Sequence, residues 1–248
     1  MRSSLSMLVC VAAGALFAGC GGTSSASGTG TQSSGAAGAG AELSKAQATA
    51  YARMVNLDAI DVPGAVVRSQ ERESGAPSQE GVRFARCAGA VNPNRRIVNV
   101  KSPTYVERGG EPTQLKSSVE VMPSATLAAR NYAAVRTARG HACLVRVLPL
   151  VLGGATARSG GFGPATISFL PDLLPSGEES FGVRVTTSRT TILAGKQTRV
   201  PVYLDIFEIL AGPAEVGLSA TSLSQPPSST TERRLLSLLY DRAQAHKL

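Results

Sequence analysis

The thiols are the side chains of this sequence best placed to do chemistry. Cys20 follows Leu16-Phe17-Ala18-Gly19 at the end of an apolar run. Small residues before it leave the preceding peptide bond open to a peptidase, and its sulfur open to alkylation. Cys10 lies inside the apolar run and would be discarded with it. Cys87 and Cys143 remain. In an oxidising compartment a lone pair is most simply a disulfide. It would close a loop of over fifty residues and stabilise by roughly 4 kcal/mol on the chain-entropy account. The other readings are two free thiols or a nucleophile. A nucleophile wants a histidine, but His141 is two residues from Cys143, and residues two apart on a helix do not face each other. His246 stands near the C-terminus, and two histidines so placed make no zinc site.

Among the carboxylates, Asp58 and Asp61 are spaced i, i+3 and could do acid–base work. Beside Pro63-Gly64 they read as turn and cap chemistry. Asp205 interrupts the apolar run Val200–Ile209. If buried, it must be paired, by an arginine, or its pKa must rise. An ion pair, the rim of a cleft and a catalytic acid are the three readings. Gly160, Gly161 and Gly163 read as a loop and not a phosphate cradle, since no helix start follows them. No G-x-S-x-G, S-x-x-K, H-E-x-x-H, P-loop or C-x-x-C occurs. The expectation is therefore no catalytic, metal or cofactor-binding residues, and no enzyme.

What must position these residues begins with the first forty. Arg2 gives a short positive start, and Leu5 to Phe17 form an apolar stretch of secretory length, too short to span a bilayer. With Cys20 directly after the cut, residues 1–19 resemble a bacterial lipoprotein signal peptide. That resemblance implies a diacylglyceryl group on Cys20, palmitate-like chains in the bilayer, and a location on the outer face of the bacterial cell membrane. Residues 20–41 carry the lipidated cysteine and a Gly/Ser-rich linker without charge or large apolar side chains. Such a segment cannot offset its ordering entropy by burial. Residues 42–248 suffice for a single extracytoplasmic domain with a sizeable core.

The net charge is +8, and its arginines are scattered. Without basic runs interleaved with aromatics, no nucleic-acid partner is expected. Solvated surface arginine is the plain reading, with attraction to an anionic membrane or cell-wall polymer as the other.

Ser44 should cap a helix over Lys45–Met54 with Ala46, Ala50 and Met54 on its buried stripe. Gln79–Cys87 reads as a short helix. Arg96–Val100 and Pro103–Glu107 look extended, and Ser117–Met122 is a half-buried strand. Ser124 caps a helix carrying Leu127, Ala128, Asn131 and Val135, which Gly140 should break. A second short helix carries Cys143, Leu144, Val147 and Leu148. Ala165–Leu170, Ser180–Thr187, Val200–Ile209 and Glu215–Leu223 are strands, the third of them central. Ser229-Thr230-Thr231-Glu232 reads as a capping box for a closing helix with Leu235, Leu236, Leu238, Leu239 and Ala243, its Leu face docked on the sheet. This segregated order predicts an α+β fold. A central antiparallel sheet of about five to six strands has helices packed on it. Tyr105, Phe162, Phe169, Phe181, Tyr203 and Phe207 are the expected large core side chains. A ligand site, if present, belongs between the sheet and the helix pair at 124–152, as a largely apolar pocket.

Three stretches together resemble a known layout. They are Ser117-Ser118-Val119-Glu120-Val121-Met122-Pro123-Ser124 leading into the helix ending at Cys143, Tyr203-Leu204-Asp205 followed by Gly212, and the closing helix after Pro226-Pro227. The chain resembles actinobacterial lipoproteins and, more distantly, is similar to the extracellular sensor domains of PknH-type mycobacterial receptor kinases. That resemblance implies an α+β domain with a cleft and disulfides, and a role in binding or sensing. No site residue carries over, since the family's tryptophan and further cysteines are missing here. The functional expectation is a membrane-anchored lipoprotein, a non-catalytic binding or sensing module of the cell envelope. The alternatives are a structural or assembly lipoprotein contacting envelope proteins or cell wall, and a carrier of lipid or another apolar ligand. The expected partners are the membrane, through the lipid on Cys20, and a small molecule or envelope protein.

Overall fold

The computed structural model describes residues 43–73, 76–108, 112–153, 162–174, 180–193, 196–246 and 248, all within the unit Ala41–Leu248. The leader, Cys20, the linker, Gly160 and Gly161 lie outside the described residues. In chain order the elements are α1 (Lys45–Val55), β1 (Val66–Ser69), β2 (Arg72–Glu73), α2 (Gln79–Ala88), β3 (Val98–Lys101), β4 (Thr104–Val106) and β5 (Gln114–Val121). They continue with α3 (Ala125–Val135), α4 (Ala138–Gly153), β6 (Thr166–Phe169), β7 (Ser180–Leu193), β8 (Lys196–Ala211), β9 (Ala214–Leu223) and α5 (Ser229–Ala245). Among the described residues no helix is long and apolar enough to cross a membrane.

The fold is α+β, built on one antiparallel sheet in the order β1-β4-β5-β9-β8-β7-β6. It has nine strands where five to six were expected. The short edge strands β1 and β2 give no signal, because their side chains are largely exposed and show no alternation to read. Beside β5, two short strands share one edge. β3 pairs from Val98↔Val121 to Lys101↔Ser118, and β4 takes over at Tyr105↔Leu115. The handover falls at Ser102-Pro103, where proline has no N–H to give a ladder. There the Ser102 side chain instead accepts from the Ser117 N–H at 2.9 Å. β7, β8 and β9 form a meander, and β8 lies between its two sequence neighbours as the apolar run predicts.

Residues opposite one another in the ladder share a face. One face presents Leu115, Val119 and Val121 of β5, Ala214, Val216 and Leu218 of β9, and Phe207 and Ile209 of β8. These bury against Ala48, Tyr51, Ala52 and Val55 of α1 and Leu235, Leu236, Leu239 and Ala243 of α5. The buried stripe of α1 is thus not Ala46, Ala50 and Met54, and Met54 is 48% exposed. Alanines on several sides of that helix blur its periodicity, and the ridge of Tyr51 and Val55 decides which way it lies. On the opposite face Met122, Phe181, Val183 and Leu210 pack under Ala128, Tyr132 and Val135 of α3.

Two helix boundaries differ from expectation. Ser228, not Ser229, caps α5, its side chain accepting from the Thr231 N–H at 3.4 Å. Glu232 is then one residue too deep for a capping box and turns into the core. The break between α3 and α4 falls at residues 136–137, before Gly140. Gly140 sits in the first turn of α4, where a Cβ would run into the carbonyl oxygens of Ala134 and Val135. Of the expected core aromatics, Tyr105, Phe181 and Phe207 are buried, Phe162 and Tyr203 partly so, and Phe169 on the edge strand β6 is 61% exposed.

Candidate functional site

Cys87 and Cys143 are bonded to each other, with Cα atoms 5.8 Å apart, and join α2 to α4. His141 therefore has no free thiol beside it. Its ring packs edge-on against Phe169, with centroids 5.0 Å apart. Asp58 and Asp61 form a turn. The Ile60 N–H donates to Asp58 Oδ1 and the Asp58 N–H to Asp61 Oδ2, both at 2.8 Å. Arg242 of α5 then clamps Asp61 with two hydrogen bonds of 2.7 and 2.8 Å and donates to the Asn56 carbonyl at 2.9 Å. All three contacts tie the turn to the closing helix, which is a structural task.

Asp205 is fully buried on the face under α5. Arg184, its cross-strand partner on β7, donates to both carboxylate oxygens at 2.8 and 2.5 Å. The same aspartate faces Glu232 of α5, also fully buried and without a donor to either oxygen. Burial first, and the Asp205 carboxylate second, push the Glu232 acid up to about 9. A neutral Glu232 is the state that suits this arrangement, because two buried carboxylates cannot share one cation cheaply. Asp205 is thus an internal ion pair, one of the three readings its sequence allows.

The interface between the sheet and α3 is filled by the cluster of Met122, Tyr132, Phe181 and Leu210, where the expected apolar pocket would lie. A groove of about 240 Å³ remains at its end, lined by Arg136, His141, Phe169 and Phe181 among others. A second groove, lined by charged and hydroxyl side chains, lies further along the same sheet face. Gly217 of β9 forms its floor, with about 250 Å³ above. Lys101 of β3 and Lys116 and Ser118 of β5 stand on one flank, Glu208 and Ile206 of β8 on the other, and Ser219 follows along β9. A Cβ at Gly217 would approach Ser118 Oγ to 3.0 Å, so glycine keeps this floor open.

The groove abuts a row of carboxylates created by strand register. Glu120 of β5 lies opposite Glu215 of β9, and Glu208 lies opposite Gly217, two residues along. Arg96 and Asn99 both donate to Glu120 Oε1, Asn99 at 2.5 Å. Asn131 of α3 donates to Glu215 Oε2 at 2.8 Å, and its own oxygen accepts the Val91 N–H at 3.0 Å. Glu208 Oε2, Glu215 Oε1 and Asn99 Oδ1 are buried without a donor. Burial and the charge of Glu120 raise Glu208 to about 7, while burial and the charge of Glu208 raise Glu215 to about 9. Across the groove, burial and the neighbouring Lys101 lower Lys116. The arrangement offers a cationic flank, a carboxyl flank that titrates near neutrality, and two hydroxyls between. Among the described residues no group of three or more His, Cys, Asp or Glu side chains is arranged to hold a metal ion.

Sequence reasoning does not find this site. Glu120, Glu215, Lys101 and Lys116 each occupy the polar phase of a strand, where a solvent-facing residue is expected. Glu208 stands out only as a polar exception in an apolar run. What unites them is registry between β3, β5, β9 and β8, which no single strand encodes.

Comparison with solved structures finds a loose likeness to the extracellular domain of PknH from Mycobacterium tuberculosis. The identity is 10% and the TM-score 0.43, covering 81% of this chain and 98% of that one. Likeness at this level assigns neither a shared fold nor a shared site. No family model matches the chain, and comparison with curated proteins finds no match.

Proposed function

We propose that this chain is a binding module of the bacterial cell envelope, anchored on the outer face of the membrane by a lipid on Cys20. The groove over Gly217 takes its ligand. The observation that carries the reading is the opposition of Lys101 and Lys116 to Glu208 across a floor without a side chain. A small zwitterion would place its carboxylate between the two ammonium groups and its amine or hydroxyl against Glu208. The space of about 250 Å³ suits a molecule of amino-acid or short-peptide-end size. Because Glu208 titrates near 7, affinity for an amine should strengthen as pH rises through that value and the carboxylate forms.

The test is native mass spectrometry of the full chain purified in mild detergent from its own host's envelope. A small mass that leaves on denaturation is expected from the wild type and should be absent from Lys116→Ala. A bare wild-type chain that is folded would sink the groove reading. The anchor is tested separately by Cys20→Ser, which should move the protein out of the membrane fraction; retention there would remove the lipid from the argument.

One observation favours a second reading. A carboxyl group raised to about 7 beside a groove is what general acid–base catalysis uses. Among the described residues no hydroxyl or imidazole hydrogen-bonds to Glu208. A co-purifying mass recovered chemically unchanged after prolonged incubation separates binding from turnover.

A further inference from the structure

We propose that the cleft between α2 and α4 is an anion site for ligands with clustered phosphate charge. It is distinct from the groove over Gly217. About 480 Å³ of open space is lined by Arg83 and Arg86 of α2, Arg139 and Arg146 of α4, and the Cys87–Cys143 disulfide. Arg139 and Arg146 are seven apart, two helical turns, and so stand on one side of α4. All four arginines are exposed.

Among the described residues, four arginines elsewhere in the chain are paired with carboxylates, while others, such as Arg68 and Arg199, are not. Arg53 meets Glu71, Arg96 meets Glu120, Arg184 meets Asp205 and Arg242 meets Asp61. Among the described residues none of the four cleft arginines has a carboxylate partner. Four like charges facing one another oppose the approach of the two helices. The covalent link holds them together nonetheless, and Arg139 Nε donates to the Cys87 carbonyl at 2.5 Å across the same junction. A fold that staples two cationic helix faces together and leaves the cleft between them open is preorganised for an anion. The planar fork of a guanidinium matches phosphate oxygens two at a time. Four forks in one cleft call for several negative charges within a few ångströms, which a polyphosphate or a row of phosphodiester headgroups supplies and a lone carboxylate does not.

The test is calorimetric titration of the full, oxidised chain in neutral detergent with two probes. One is inorganic tripolyphosphate, and the other is phosphatidylglycerol doped into micelles of the same detergent, whose surface presents several phosphodiester groups side by side. Replacing all four cleft arginines by glutamine should weaken binding at least about tenfold and flatten its salt dependence. The pair Arg68→Gln with Arg199→Gln, exposed elsewhere, should leave binding unchanged. Loss confined to tripolyphosphate supports the site with free polyphosphate as its ligand, and loss confined to the doped micelles supports it with headgroups as the source. No binding by the wild type, equal binding by the fourfold variant, or equal loss in the Arg68/Arg199 pair would overturn it. Should the fourfold variant fail to fold, Arg86→Gln and Arg146→Gln singly carry the same comparison.

Discussion

Arg184→Met should lower the stability of the folded domain by about 3–5 kcal/mol, the usual effect of removing one partner from a buried ion pair. Asp205 has no exposure at all, whereas Arg184 keeps a fifth of its side chain in water. The variant therefore strands the group that cannot be rehydrated. Glu232 cannot take over, because it is an acid facing the same carboxylate. For a domain of about 200 residues, each kcal/mol moves Tm by about 2–4 °C, so a fall of roughly 10 °C is expected in a thermal melt at neutral pH. Arg184→Met combined with Asp205→Leu should recover most of the loss, since replacing a whole buried pair by apolar groups is often neutral. A single variant within about 1 kcal/mol of wild type would mean that the pair behaves like a surface salt bridge, and that Asp205 has water or another cation.

How far the sequence reveals this architecture depends on what each element uses to hold itself. α1, α3 and β8 are legible because local rules suffice. Ser44 and Ser124 cap their helices, and the run at Val200–Ile209 is apolar on both faces, as a central strand requires. β1 and β2 escape notice because their partners, β4 and β3, supply the order that their own exposed side chains do not. Glu232 is misplaced by one residue of helix start, and that single step takes it from a surface cap to the centre of the core. The disulfide is expected from cysteine count alone, but that it bridges two arginine-bearing helices is a fact of three dimensions. The carboxylate row is the clearest case. Glu120 and Glu215 obey the alternation of their own strands and Glu208 is an exception in an apolar run, and only the alignment Glu120↔Glu215 with Glu208 alongside makes them neighbours.

That alignment and Glu232 together set the pH dependence of stability, which should run opposite to the common pattern of acid-labile folds. An ordinary glutamate titrates near 4.5, whereas Glu208 is raised to about 7 and Glu215 and Glu232 to about 9 in the folded chain. Each group is raised, so the folded state binds the proton more tightly than the unfolded state. The associated stability is fully present below about 4.5 and is lost as pH rises towards the folded values. Each such proton contributes a slope of about 1.4 kcal/mol per pH unit. Glu120, which burial also raises, acts in the same direction, so stability should fall continuously from about pH 5 towards pH 9. Glu73, lowered by Lys45 at the surface, acts in the other direction, but in water its weight is small. Urea unfolding at pH 5, 6, 7 and 8 should therefore show midpoints falling steadily at constant m. Glu232→Gln isolates one of these carboxyls. Its amide can still donate to Asp205, but it takes up no proton on folding. The variant should match wild type near pH 5, exceed it at pH 8, and show a slope shallower by one proton. Stability that rises from pH 5 to 8, or a Glu232→Gln variant with the wild-type slope, would mean that these carboxyls are ionised in the fold and draw on partners other than those around them here.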